Sequence, residues 1–338
     1  MPYGYNDWLA LTQEPTLEPD LPICDPHHHF WDLRPGSVPY QRYLLHELNA
    51  DIYSGHNIRS TVFLEARSMY RAGGPEELRS VGEVEFVQGL AAASASGVYG
   101  ESRAAAAIMG HADLKLGAGV TPVLEALQAA SPNRFQGIRH NITWNTDPTW
   151  DNRETEGIVN DAKFIEGAKV LSQMGLSLDI MQSFPQLPEI AEFAKAVPDL
   201  PIIVNHVGGV SRVGIYAGKD DEIIPVWKEG ITAVAACHNV TMKLGGLGMP
   251  RFGFGWHARE VPIGSEELAE SMTPWMRHCI EQFGPDRCMF ESNFPPDKVS
   301  FSYNVMYNAF KRLSKEYSTA ERAALFHDTA VRVYGIEP

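Results

Sequence analysis

The stretch ICDPHHHFWD at residues 23–32 places three consecutive histidines inside a short apolar segment near the start of a 338-residue chain. Side chains alternate across a β-strand, so His27 and His29 would share one face and His28 would point away from it. Two imidazoles spaced in this way, about 6–7 Å apart at Cα, can converge on one metal ion or one substrate oxygen. The spacing alone is as compatible with a pair of buried core histidines as with a site. Together with His206 at the end of another predicted strand it favours a site, with His28 in a structural role.

Seven further apolar or β-branched segments follow, at residues 60–67, 104–114, 135–143, 176–181, 201–208, 240–247 and 288–294. Helical patterns such as 164–175 and 187–199 separate most of them. Eight strand–helix repeats in a chain of this length predict an α/β fold, a single (β/α)8 TIM barrel over residues 1–338 with an N-terminal arm at 1–22. A doubly wound open sheet is the second alternative, but no G-x-G-x-x-G follows the first strand.

Composition narrows the class of protein. The net charge of −14 argues against nucleic acid and anionic membranes as partners, because both need a basic surface. The N-terminus has no signal-peptide pattern, and no apolar run reaches the roughly 20 residues of a membrane span. The four cysteines are scattered without a C-x-x-C pair. We therefore expect a cytoplasmic protein that binds a small molecule, and a homo-oligomer remains open.

Polar side chains recur at the carboxyl end of every predicted strand, where barrel enzymes build their active sites. In strand order they are His27 and His29, Glu65 and Arg67, His111 and Asp113, Arg139 and His140, Asp179 and Gln182, Asn205 and His206, Lys243, and Glu291 and Asn293. Two long segments, residues 32–58 and 249–266, would lie over the same end of the barrel as lids or specificity loops.

Four segments carry a resemblance to a known family. DPHHHFWD (25–32), IVNHVGG (203–209), FESNFPPDK (290–298) and HDTAVRVYGI (327–336) resemble the motifs of the amidohydrolase superfamily, in its amidohydrolase-related branch. The resemblance spans nearly the whole chain. It implies a TIM barrel and an activity like that of the sugar-lactone and pyrone-dicarboxylate lactonases, with zinc- or manganese-dependent decarboxylases as more distant members.

Two positions depart from that family pattern. Asn293 stands where the family has an aspartate that serves as general base and often as a metal ligand, and an amide cannot accept a proton from water near neutral pH. The fifth strand ends in Asp179 and Gln182, where the metal-dependent decarboxylases have a histidine. These departures predict that no cofactor is required. One divalent ion, zinc or manganese, on His27 and His29 is the alternative.

The resulting hypothesis is a hydrolase that opens a lactone or similar cyclic ester of a small carboxylated or sugar-derived substrate. His27, His29 and His206 would polarise the carbonyl, and Glu291 or Glu65 would activate water that Asn293 orients. The candidates for binding the substrate are Arg67, Arg139, His140 and Lys243 for a carboxylate, and Trp144, Trp256 and Tyr70 for a ring face. A metal-dependent decarboxylase or amidohydrolase is the second hypothesis, and a non-catalytic small-molecule-binding barrel is the third.

Overall fold

A computed structural model describes residues 6–34, 40–147 and 153–337 of the chain. Eight parallel strands form one sheet in the consecutive order β1 to β8. Their bounds are Pro22–His28, Asn57–Leu64, Arg103–Gly110, Phe135–Asn141, Ser177–Met181, Ile202–Val204, Val240–Leu244 and Cys288–Phe290. A parallel bridge between His28 and Phe294 returns the chain after β8 to β1. The predicted (β/α)8 barrel is confirmed, and the open doubly wound sheet is excluded by this closure.

A helix follows each strand. In chain order, the helices of the described residues are α1 Asn6–Leu9, α2 Leu45–Ile52, α3 Val81–Ala95, α4 Thr121–Ala130, α5 Ala162–Gln173, α6 Leu187–Ala196, α7 Asp220–Ala235, α8 Ser265–Phe283, α9 Tyr303–Leu313, α10 Thr319–Ala323 and α11 Thr329–Val333. A single π-helical turn joins the last two. Among these helices none is both long and apolar enough to cross a bilayer.

The strands are buried on both faces, because side chains fill the barrel inside and the helices cover it outside. Every residue of β5, β6, β7 and β8 is buried, as parallel strands between two layers require. Several strands end earlier than the sequence predicted. β6 ends at Val204 and β8 at Phe290, although the N–H groups of Asn205 and Glu291 still donate to the carbonyls of Ile180 and Leu244 on the neighbouring strands.

The described part of the N-terminal arm lies against α8 and α9, and residues 1–5 fall outside the described residues. Glu14 accepts a hydrogen bond from the Ser265 backbone N–H at 2.6 Å, at the start of α8. Leu17 N–H donates to the Asn308 side chain at 2.8 Å, and Lys311 donates to the Leu17 carbonyl at 2.8 Å. The arm therefore packs on the barrel through many polar contacts.

Candidate active site

A cavity of about 390 Å³ opens at the carboxyl ends of the strands. Its charged and polar lining consists of His29, Arg34, Glu65, Arg67, Arg139, Asn141, His206, Arg251 and Asn293, with Trp31 among the apolar lining residues. Three of these residues have left-handed backbone: Arg67 at φ 55°, His206 at φ 53° and Asn293 at φ 52°. Such φ values cost energy in residues other than glycine, and they cluster at functional sites.

Glu291 lies directly beneath the cavity and is fully buried. Its Oε1 accepts hydrogen bonds from Nδ1 of His206 at 2.6 Å and from the His206 backbone N–H at 3.1 Å. Its Oε2 lies 2.6 Å from Nδ1 of His27. Burial raises the pKa of Glu291 to about 8, although the Lys243 charge and the His206 N–H favour the carboxylate. Glu291 therefore does not line the cavity itself but is hydrogen-bonded to His206, which does.

The close approach of β7 to this histidine requires glycine. Gly246 has φ +74°, and a Cβ built on it would lie 2.2 Å from His206 Nδ1. No side chain fits at that distance, so the backbone after β7 forms one wall beside the His206 ring.

Lys243 is fully buried below the cavity and does not line it. Its Nζ donates to Asp179 Oδ1 at 2.7 Å, and the same carboxylate accepts hydrogen bonds from Asn205 and Tyr334. Lys243 Nζ also lies 3.4 Å from His27 Nδ1. The structure thus places Lys243 in an ion pair under the histidines, where it adds positive charge beside His27.

Glu65 and Arg139 form an ion pair on the cavity wall. Arg139 Nε donates to Glu65 Oε1 at 3.0 Å, and Arg139 Nη1 lies 3.4 Å from His27 Nε2. Burial by itself would raise the pKa of Glu65, but the charge and hydrogen bond of Arg139, with the charges of His111 and Arg67, together outweigh it and the pKa is lowered. A carboxylate held ionised in this way is a weak proton acceptor, so the geometry favours Glu65 as the partner of Arg139.

His29 contacts the cavity from the end of the first strand segment. Its Nδ1 lies 2.8 Å from the Leu64 carbonyl oxygen, and its Nε2 lies 3.3 Å from the Asn293 side chain. The Asn293 amide in turn lies 2.7 Å from Asp297 Oδ1, and Asp297 Oδ2 accepts the Gly248 N–H at 2.9 Å. Asn293 is therefore fixed between a histidine and a buried carboxyl group.

The remaining candidates lie outside the cavity lining. His140 is next to Arg139 on β4 and faces the helices, where Nε2 lies 3.8 Å from Asp113 and the ring packs on Phe164. His28 likewise points outward, with Nε2 2.8 Å from Thr61 Oγ1. The aromatic candidates Trp144, Trp256 and Tyr70 do not line the cavity, and Trp256 stacks on Phe254 at 4.5 Å.

Two cavity arginines were not singled out by the sequence. Arg34 stacks over Trp31 at 4.4 Å and donates to the Ala66 carbonyl, and Arg251 follows β7. Both belong to the long segments 32–58 and 249–266, of which residues 35–39 are not described. The sequence indicated these loops by their length, but a loop has no periodicity that tells which of its side chains enters the site.

His27, His206 and Glu291 could together hold a metal ion. Their ligand atoms all lie within 4.8 Å of one another, and all three residues are buried. Two imidazole nitrogens and a carboxylate oxygen form a donor set that suits zinc and leaves a further coordination position open. Glu291 Oε2 also accepts no aligned hydrogen bond from the described residues, which fits an atom available to an ion. His29 lies outside this cluster.

The closed barrel, with histidines and carboxylates gathered at the carboxyl ends of its strands, defines the class of a (β/α)8 enzyme. The chain belongs to the amidohydrolase family, whose model matches residues 24–336. It is 30% identical over 335 residues to an uncharacterised protein, y4mH, of Sinorhizobium fredii, covering 94% of this chain and 99% of that protein.

Two further relatives are more distant. An L-fucono-1,5-lactonase of Burkholderia multivorans is 23% identical over 315 residues, covering 92% of this chain and 95% of its own. A crystal structure of an amidohydrolase from Burkholderia multivorans with bound zinc superposes with a TM-score of 0.73 at 23% identity, covering 93% and 99% of the two chains. With the His27–His206–Glu291 cluster, the family favours the divalent-ion alternative over the expectation that no cofactor is required.

Proposed function

We propose that the protein hydrolyses the ester bond of a small lactone that carries a carboxylate. The observation that supports this most directly is the Glu291–His206 pair, with 2.6 Å between Oε1 and Nδ1, at the base of a cavity lined by guanidinium groups. The likeness to a protein named L-fucono-1,5-lactonase supports lactone hydrolysis in general.

The charge of the cavity favours an anionic substrate. Arg34, Arg67, Arg139 and Arg251 line the cavity, whereas Glu65 is the one carboxylate in its described lining. Guanidinium groups bind carboxylates through paired hydrogen bonds, and a cationic cleft concentrates anions even on a protein with a net charge of −14. Arg34 is already oriented by its stacking on Trp31, so it can receive a carboxylate with little loss of side-chain entropy.

His206 is suited to activate water. When its Nδ1 donates to Glu291, the neutral ring has its lone pair on Nε2, and His206 lines the cavity. Nε2 accepts a proton as the water oxygen attacks the lactone carbonyl carbon, and Glu291 stabilises the imidazolium. The ring C–O bond then breaks, and the imidazolium returns the proton to the leaving oxygen, which gives an open hydroxy acid. Glu291 is thus a positioning residue rather than the base.

The histidine–carboxylate cluster also fits a divalent ion. His27, His206 and Glu291 would hold it, and an ion bound there would supply Lewis-acid polarisation of a carbonyl or of water. A ligating His206 has no lone pair left for a proton, so its role as base belongs to the ion-free site. Arg139 and Asn293 lie on the cavity wall as donors for the developing oxyanion in both states.

The test is a panel of lactones in carboxylated and uncarboxylated pairs, with ring opening followed by proton release and the product identified by its mass. We expect kcat/KM to favour the carboxylated member of a pair, and the product to exceed the substrate by one water. Loss of carbon dioxide instead would identify a decarboxylase. Ligands that raise Tm without any turnover across the panel would indicate a binding protein and would contradict the proposal.

A further inference from the structure

Three consecutive backbone N–H groups on the cavity wall donate to two carboxyl groups. The N–H of Ala66 donates to Glu83 Oε1 at 2.9 Å, and the N–H of Ser68 donates to the same oxygen at 2.8 Å. The N–H of Arg67, between them, donates to Glu65 Oε2 at 3.2 Å. We refer to these three donor residues as the Arg67 turn. A carboxyl group that lines the cavity and one from α3 behind it therefore fix the turn from opposite sides.

The Arg67 turn forms a small concave site for an oxygen atom, and Glu83 occupies it. Arg67 has φ 55°, in the left-handed region that costs energy in a residue with a Cβ. Successive N–H groups around such a residue can converge on one anion-binding point. Glu83 Oε1 lies at that point, so it stabilises a backbone conformation that the chain would not readily adopt by itself.

Glu83 reaches the Arg67 turn from the helix layer. It lies in the first turn of α3 and is fully buried. An acidic residue there also interacts favourably with the helix dipole, but its hydrogen bonds within the described part of the chain go to the turn. Oε2 has no hydrogen-bond partner among the described residues, so a single oxygen makes both contacts. Loss of that oxygen would leave two buried N–H groups unsatisfied.

The start of α3 packs closely on the chain that follows the Arg67 turn. A Cβ built on Gly82 would lie 2.6 Å from the Met69 carbonyl oxygen and 2.8 Å from the Arg71 backbone nitrogen. Both are backbone atoms, which cannot move aside as the end of a flexible side chain can, so this approach requires glycine. The close packing sets the distance that the neighbouring Glu83 side chain has to span.

The Arg67 turn contributes to the cavity in two ways. The Arg67 side chain lines the cavity, and the Ala66 carbonyl oxygen accepts a hydrogen bond from Arg34 Nη1. A movement of the turn would therefore displace two of the four arginines in the described lining. His206 and Glu291 follow β6 and β8 instead, so the groups for carboxylate binding and those for the chemistry come from different parts of the barrel.

We propose that Glu83 is a positioning residue for substrate selectivity, which holds the Arg67 turn so that Arg67 and Arg34 are aligned to bind the substrate carboxylate. The role in selectivity rests on the proposed lactone hydrolysis, whereas the hold on the turn does not. A carboxyl oxygen accepts both N–H groups whether the group is ionised or neutral, so the contact does not depend on the protonation of Glu83. It requires an acceptor oxygen at the reach of a glutamate side chain.

Two conservative substitutions separate the reach of the side chain from its ionisable group. Glu83→Gln keeps an acceptor oxygen at the same reach, and KM for a carboxylated lactone should stay within about twofold of the parent value. Glu83→Asp keeps a carboxyl group but is one CH2 shorter, so its oxygen cannot reach both N–H groups. In Glu83→Asp, KM for the carboxylated lactone should rise about tenfold, the effect of weakening a charged hydrogen bond to the substrate. KM for the uncarboxylated partner and kcat for both should stay within about threefold, because the Glu291–His206 pair is untouched.

Glu85→Asp is the matched control. Glu85 lies on the same helix, but its side chain is 49% exposed and pairs with the side chain of Arg71 rather than with the backbone of the Arg67 turn. The same shortening by one CH2 should therefore leave the ratio of the two KM values within about twofold of the parent ratio, since an exposed ion pair contributes little.

Hydrogen exchange tests the hold on the turn without any substrate. The amide hydrogens of Ala66 and Ser68 should exchange faster in Glu83→Asp than in the parent protein, and at the parent rate in Glu83→Gln. Unchanged exchange in Glu83→Asp, or equal rises in KM for both lactones, would overturn the proposal. A Glu83→Gln protein that loses the slow exchange or the substrate preference would overturn it too, even if Glu83→Asp does not fold. If no lactone is turned over, exchange still decides the hold on the turn, and the failure belongs to the proposed function alone.

Discussion

The substitution Glu291→Gln removes the ionisable carboxyl group from beneath the cavity while keeping the shape of the side chain. In the parent protein the carboxylate accepts from His206 Nδ1 at 2.6 Å and from the His206 backbone at 3.1 Å, and it lies 2.6 Å from His27 Nδ1. Glutamine offers one oxygen, which can still face His206. Its NH2 group then meets His27, and no charge remains to stabilise an imidazolium at His206.

The two expected losses differ in size. Turnover should fall about 10²- to 10⁴-fold, the range for loss of general acid–base catalysis. Stability should fall by only about 1–2 kcal/mol, because one charged hydrogen bond is lost while the desolvation of the carboxylate is relieved. Lys243 keeps Asp179 at 2.7 Å, so no buried cation loses its counter-ion. Removing the counter-ion of a buried cation would lower the free energy of unfolding by about 3–5 kcal/mol.

Both quantities are measured on one preparation, with proton release for turnover and urea denaturation for the free energy of unfolding. Glu192→Gln is the matched control, since its side chain is 70% exposed and, within the described part of the chain, forms its ion pair with Lys195 on the same helix. It should change neither quantity. A Glu291→Gln protein that keeps turnover within a few-fold would refute the role of the Glu291–His206 pair. A stability loss above about 4 kcal/mol would show instead that Glu291 mainly compensates a buried charge.

Three further outcomes are expected. Elemental analysis should find a divalent metal in the purified protein. The metal content should be strongly reduced in His27→Ala and unchanged in His29→Ala. An equal loss in both variants would show that His27 and His29 bind the ion together. Arg34→Met should raise KM for a carboxylated lactone about tenfold or more and leave KM for its uncarboxylated partner unchanged, and equal effects on the two would count against carboxylate binding. Burial and then the Glu65 charge raise the pKa of Glu83 from 4.5 to about 8, so the folded state binds the proton that the unfolded state loses. The free energy of unfolding of the parent protein should therefore fall as the pH rises from 4.5 to about 8, and it should fall less in Glu83→Gln. Urea denaturation that gives parallel pH profiles for the two proteins would contradict this.

Strand alternation accounts for much of what the sequence could predict. It set His29 toward the cavity and His28 toward the helices, as the structure has them. His27 was expected at the barrel mouth as well, but it lies buried beside Glu291 and does not line the cavity. The same rule separates Arg139 from its neighbour His140, since adjacent residues of one strand cannot both face the cavity. The repeated strand and helix segments were sufficient to predict the barrel. Each segment is recognised from its local sequence pattern, and their regular alternation predicts parallel strands joined by helices.

The parts that the sequence could not predict depend on distances between separate strands. Alternation placed Glu291 on the inner face of the predicted eighth strand, but only the assembled barrel shows it just after β8, between His27 and His206. Asp297 lies four residues beyond Asn293, and its contact with the amide depends on how the chain turns after β8. Arg34 and Arg251 reach the cavity from loops, where side-chain direction follows no period.

The N-terminal arm constrains how the substrate preference of this barrel could be engineered. Trp8 donates to the carbonyls of Arg259 and Glu260 at 3.2 and 3.1 Å, and Thr12 donates to that of Pro262 at 2.7 Å. These carbonyls belong to the same loop that carries Arg251. A loop transplanted from a relative would bring a backbone that the arm no longer matches, so the arm and the loop should be exchanged as one unit.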